Sequence, residues 1–204
     1  MFFSMRFFWE VFVTLVVITD PPGLVPIFLG LTSGLEPRDR NRLAWQAAVV
    51  AFGVIVAFAL FGQSILSYLG VSLAAMQGAG GLLLLLVALQ LLTGTSQEPT
   101  EAERLQTNVA FVPLGTPLLA GPGAIVATMV FVRRINGTAD VIAFSVAVVA
   151  VSVLLWLSMR FSVLIMRVIR ANGVELLTRI SGLLLSAIAV QLVAGAIRAF
   201  VKQG

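Results

Sequence analysis

The sequence predicts an all-α polytopic membrane protein of about six spans, built as two three-helix repeats with broken first and fourth helices. Three observations carry this expectation: the balance of residue types, apolar runs long enough to cross a bilayer, and a motif that returns about a hundred positions later. Apolar residues make up 59% of the 204 and charged residues only 11%, against the roughly 25% charged share of a soluble domain. So few charges, gathered in short clusters, cannot cover the surface of a soluble core. A helix needs about 20 apolar residues to cross the hydrocarbon layer, and these runs are too long and too little alternating for barrel strands.

The first run, Met5 to Leu31, begins like a signal peptide, with Arg6 ahead of an apolar stretch to Ile18. No small-x-small cleavage site follows, so it reads as a retained span. Its middle, Thr19 to Pro26, is Thr-Asp-Pro-Pro-Gly-Leu-Val-Pro. Pro21, Pro22 and Pro26 have no N–H to donate, Pro22 disfavours helical backbone at the residue before it, and Gly23 permits a turn, so the helix should break here. Asp20 ahead of two prolines has the signature of an N-cap, which starts a second half-helix. The second span, Leu43 to Leu69, follows Arg38, Arg40 and Arg42, expected in a solvated loop. The third is Leu73 to Thr93. A polar linker, Thr95 to Thr107, carries Glu98, Glu101, Glu103 and Arg104. The fourth span, Asn108 to Val132, repeats the interruption with Pro113, Gly115, Thr116, Pro117, Gly121, Pro122 and Gly123. Asp140 to Phe161 and Leu177 to Phe200 complete the set.

Gly81 to Gly94 returns 101 positions later as Gly182 to Gly195, with eight of fourteen residues identical, including both terminal glycines and the pair Gln90 and Gln191. Leucine abundance alone does not align those residues, so the chain divides into repeats at 1–94 and 108–204 around a linker at 95–107. Pro21-Pro22-Gly23 matches Gly121-Pro122-Gly123 at an offset of 100. An odd number of spans per unit inverts the second copy relative to the first. If the first and fourth segments are re-entrant hairpins instead, each unit has two spans and the copies are parallel. Arg38, Arg40, Arg42, Arg104, Arg160, Arg167, Arg170 and Arg179 fall on one side, against Arg6, Arg133, Arg134, Arg198 and Lys202 on the other. The first set is expected inside, with both termini outside.

The chain has no Cys and no His, which excludes thiol nucleophiles, disulfides, haem ligation, Ser-His triads and the usual zinc sites. Neither an aspartyl pair nor a P-loop can be assembled. The expectation is therefore a protein that is not an enzyme and has no cofactor. Its basic residues flank apolar segments instead of forming a stripe, so membrane lipid is the expected partner and nucleic acid is not.

Asp20 is the only acid deep within an apolar segment, where an ionised carboxylate costs about 2.5 to 3.5 kcal/mol on insertion scales. It either caps its own half-helix or meets a cation: Na⁺, a proton, or a substrate ammonium. The position matching it in the repeat is Ala120. Half-helix N-termini offer free N–H groups to an anion, so a zwitterion bridging Asp20 and the amides of Gly121 to Gly123 is the expected ligand geometry. The candidate substrate site is Thr19, Asp20, Pro21, Pro22, Gly23, Pro26, Thr116, Pro117, Gly121, Pro122 and Gly123. Gln90 and Gln191 are secondary polar candidates, expected to hydrogen-bond between helices, with Gln63 and Gln77 nearer span ends. Gly78, Gly81, Gly94, Gly182 and Gly195 are assigned to close helix packing, and Glu10 to the headgroup region.

With these motifs in place the chain resembles the MarC family (UPF0056-type) of six-span membrane proteins, also grouped as neutral amino acid transporters. The likeness rests on Thr19 to Phe28 with Gly30-Leu31-Thr32, on Gly80-Gly81, and on Pro113 through Gly123. Asp20, Pro21, Gly23, Pro26 and Phe28 match the family's Asp-Pro-x-Gly-x-x-Pro-x-Phe signature, and Thr116, Pro117, Gly121, Pro122 and Gly123 its Thr-Pro-x-x-x-Gly-Pro-Gly. The resemblance implies a secondary transporter of small neutral amino acids, driven by H⁺ or Na⁺, multi-pass in a bacterial cytoplasmic (inner) membrane, with room for a homo-oligomer. The alternative is a cation transporter or channel using Asp20, the Thr19 and Thr116 hydroxyls and freed backbone carbonyls as hard oxygen ligands.

Overall fold

A computed structural model describes residues 4–94 and 120–203. They form seven helices in chain order: α1 (Met5–Thr19), α2 (Pro21–Leu31), α3 (Pro37–Tyr68), α4 (Leu73–Thr93), α5 (Pro122–Arg133), α6 (Thr138–Arg160) and α7 (Ser162–Gln203). Among the described residues there is no strand. Met5–Leu31 (α1 with α2), α3, α4, α6 and α7 are each long and apolar enough to cross a membrane, and α5 is shorter.

Local chemistry accounts for several boundaries. Pro37 opens α3 at its first position, where a missing N–H costs nothing. Arg38, Arg40 and Arg42 therefore lie in the opening turns of α3 and not in a loop as expected, because arginine is a good helix former once a proline has set the start. Ser72 caps α4 by accepting from the Ala75 amide at 3.1 Å, and Gly94 closes that helix in the left-handed conformation at φ 70. α7 is broken at Arg170, whose φ of 61 and ψ of 168 are non-helical, so a short helix from Ser162 precedes the break and the expected sixth span, Leu177 to Phe200, lies in the helix after it. No proline interrupts this stretch. The linker at 95–107 and the fourth span as far as Leu119 lie outside the described residues.

The first span is interrupted but does not fold back. α1 and α2 meet only around their junction, and the i→i−4 pattern passes through it, with the Asp20 amide on Val16 and the Leu24 amide on the Asp20 carbonyl, both at 3.0 Å. Val11, Leu15, Val25 and Phe28 are fully buried, so this broken span is the axis of the bundle. α3 and α6 pack together along one side, with α6 on α1 and α3 on α5. On the other side α4 runs along α7, the most extensive helix pair among the described residues. Val17 of α1 joins the cluster that Leu84, Ala88, Leu185 and Ala189 make between them.

α4 and α7 are antiparallel and close. A Cβ on Gly81 would stand 2.9 Å from the Ala189 carbonyl and 2.8 Å from Val193, and one on Gly182 would stand 3.2 Å from the Ala88 carbonyl and 3.0 Å from Leu91. Gly81 and Ala88 are the residues that return as Gly182 and Ala189, so the same contact is made twice with roles exchanged. A Cβ on Gly78 or Gly195 would make only an ordinary contact, with Ala196 at 3.5 Å and with the Gln77 side chain at 3.9 Å; only two of the five glycines assigned to packing are indispensable for it.

Aromatic residues mark two levels. Trp9 and Tyr68 are exposed near one end, while Trp45, also exposed, meets Trp156 edge-on at 6.0 Å near the other. Such paired belts suit two headgroup layers, and the rest of the outer surface is exposed Leu, Val, Ile and Phe. Gly53, on the exposed side of α3, has nothing within 4 Å of the place a side-chain methyl would take. Gly53→Ala is therefore expected to stabilise by about 0.5–1 kcal/mol, read as a rise of about 2 °C in the unfolding midpoint in detergent.

Candidate functional site

Asp20 sits at the break between α1 and α2 in left-handed backbone, φ 40 and ψ 67. Aspartate tolerates this region better than most residues. It occupies the N-cap position of α2, yet its side chain makes no capping hydrogen bond. Asp20 is 7% exposed, and neither carboxylate oxygen has a hydrogen-bond partner. The capping role alone therefore does not account for it. A buried carboxylate without partners is costly, and in the middle of a span it calls for a cation, a proton or a ligand.

The groups that face this carboxylate are the Gly23 amide and the hydroxyls of Thr178 and Ser181 on α7, all outside hydrogen-bond geometry. Gly23 makes room for the cluster: a Cβ there would collide with the Asp20 carboxylate and reach the Thr178 hydroxyl. Thr19 is buried, but its hydroxyl is committed to the Leu15 carbonyl at 2.8 Å. Pro21 is buried and Pro22 half-buried, whereas Pro26 is exposed and shapes α2 from outside.

The second interruption supplies the N-terminus of α5. Pro122 occupies its first turn and Gly121 its N-cap position in extended backbone, with no side-chain cap. Gly123 is buried, and a Cβ there would run into Leu84 of α4. Because Leu84 and Val17 belong to one cluster, the two helix ends are approached through α4. The structure thus brings together Asp20, Gly23, Thr178 and Ser181, whereas Gly123 packs on Leu84 of α4. Thr116 and Pro117 lie outside the described residues. Farther along α5, Thr128 is fully buried with an unpartnered hydroxyl.

A model of the MarC family integral membrane protein matches residues 5–201. The chain belongs to the MarC family. Among its relatives are UPF0056 membrane proteins of Methanocaldococcus jannaschii (34% identical, covering 96% of this chain and 98% of the relative) and Aquifex aeolicus (32%, covering 96% and 94%). A third is YhcE of Escherichia coli K12, 30% identical over 97% of this chain and 94% of its own. No solved structure matches the chain.

In this MarC-family chain, Thr178 and Ser181 were not among the residues the sequence singled out. Their signal was present as two hydroxyls spaced i, i+3 on one helix face, but their importance depends on α7 packing against α2. Gln90 and Gln191 differ from expectation: no hydrogen bond joins either to another helix among the described residues, Gln90 is exposed, and Gln191 lines a cavity. Among the described residues no group of three His, Cys, Asp or Glu is placed to hold a metal ion.

Proposed function

We propose that this MarC-family chain is a secondary transporter of small neutral amino acids, coupled to H⁺ or Na⁺, in the cytoplasmic membrane of a bacterium. The observation that carries it is the buried, unpartnered Asp20 carboxylate at a break in the central span, faced by two hydroxyls from another helix. In this reading Asp20, with Thr178 and Ser181, receives the coupling cation or the substrate ammonium, while the amides at Gly121 to Gly123 receive the substrate carboxylate. The exchanged contacts of antiparallel α4 and α7 support two inverted copies of one unit, the architecture in which alternating access places a site at broken helices. The substrate leaves chemically unchanged, so no enzyme activity is involved, and the arginine-rich end faces the cytoplasm.

The test is uptake and counterflow of a radiolabelled neutral amino acid panel in proteoliposomes under imposed H⁺ and Na⁺ gradients, comparing the parent protein with Asp20→Asn. Saturable flux is expected for the parent and flux at the level of empty liposomes for the variant. Undiminished flux in Asp20→Asn overturns a charged site at the break; cation flux without amino acid flux favours the cation transporter.

A further inference from the structure

A second polar feature lies toward the end of the bundle where α1 begins and α5 ends. There a half-open cavity of about 520 Å³ is lined by α1, α4, α5 and α7, with walls that include Val13, Ala127 and Leu192. Three uncharged polar side chains reach it from three helices: Thr14, Gln77 and Gln191. No hydrogen bond engages either carboxamide among the described residues. Glu10 and Arg134 also line it, joined at 2.7 Å, and their side chains are 32% and 52% exposed. They form its rim.

This ion pair is built to be opened. Being partly exposed, it adds little to stability, so exchanging it for the charges of a ligand costs little. Each partner keeps a second hold on its position when the pair parts. Glu10 also accepts from Arg6 at 3.1 Å, and the Arg134 guanidinium lies over the rings of Phe7 and Phe131 at 5.9 and 5.5 Å. Arg6, Glu10 and Arg134 together carry one net positive charge, so the rim favours a carboxylate over an amine. An arginine held this way presents a fork suited to a carboxylate.

We infer that this cavity is an entry site for the zwitterion, in which the substrate carboxylate takes Arg134, its ammonium takes Glu10, and Gln77 and Gln191 bind the polar atoms left over. The inference rests on the transporter reading for its ligand class and is separate from it in geometry. It gives Glu10 and Arg134 a role in recognition at the rim, two to three helical turns of α1 away from Asp20.

The chain has no cysteine, so Thr14→Cys places a single thiol on the cavity wall, and Leu192→Cys provides a second position if the first variant folds poorly. The rate of labelling by a membrane-impermeant maleimide is measured in proteoliposomes with a panel of neutral amino acids from glycine to leucine, their amides and their decarboxylated amines. At ten times its Kd an occupying amino acid is expected to slow labelling about ten-fold by mass action, while the amides and amines protect little. Adding Arg134→Gln is expected to abolish protection, and Arg134→Lys to keep part of it. A thiol that fails to label, equal rates with and without amino acid, or protection that persists in Arg134→Gln overturns the entry site. Protection without flux keeps this site and removes the transporter reading; flux without protection does the reverse.

Discussion

Replacing Gly81 or Gly182 by Leu is expected to separate α4 from α7 and to deprive the protein of its folded state in detergent. At both positions the nearest atoms include a backbone carbonyl, at 2.9 Å for Gly81 and 3.2 Å for Gly182. A carbonyl within a helix cannot swing aside as a side chain can. Overpacking typically costs about 1–3 kcal/mol where side chains can adjust, and four added carbons against backbone exceed that. With a total stability of about 5–15 kcal/mol, either variant loses a large share. The measurement is the monodisperse fraction on size exclusion together with the thermal midpoint, with Gly53→Leu as the exposed control. Gly81→Leu with the midpoint of the parent would show that close approach at this glycine does not hold the helices.

Gly23→Ala and Gly123→Ala are expected to diverge although the two residues stand at equivalent positions of the repeat. At Gly123 the added methyl meets the Leu84 side chain, and at Gly23 it meets the Asp20 carboxylate and the Thr178 hydroxyl. The first clash is apolar and can be relieved by shortening the neighbour. Gly123→Ala is expected to lower the midpoint by several degrees, and adding Leu84→Ala to recover part of that loss and to restore uptake. The second clash displaces the one buried carboxylate at the break. On the transporter reading, Gly23→Ala is therefore expected to reduce amino acid uptake to the level of empty liposomes, and adding Asp20→Ala restores room but not flux. Recovery of uptake in Gly23→Ala/Asp20→Ala would show that the site needs space at this point and no carboxylate.

How much of this was legible in the sequence depended on whether the deciding partner was near in the chain. The break at Asp20 is local chemistry, two prolines and a glycine in an apolar run, and it lies where those residues predict. Gly81 and Gly182 were legible because identical residues recur around them at one spacing, and both stand where α4 and α7 touch. The short helix ahead of Arg170 was not legible, because Arg167 and Arg170 divide the apolar pattern there; the backbone breaks at Arg170 itself, and the expected sixth span follows it. The partners of Asp20 were hidden for another reason, since Thr178 and Ser181 are remote in sequence and become relevant only through the packing of α2 on α7. Glu10 read as a headgroup-level acid. Its ion pair with Arg134 links residues 124 positions apart, and periodicity contains no sign of it.

The doubled glycine contact between α4 and α7 has a mechanical consequence. The two glycine contacts fall on α7 at Ala189 and Gly182, which lie seven residues apart, about 10 Å along the helix. Two close contacts at that separation, made by opposite partners, leave no single fulcrum: opening one end of the pair drives the other end into backbone. α4 and α7 therefore form one keel, and on the transporter reading the movement that exposes Asp20 to one side of the membrane or the other falls to the remaining helices sliding against it.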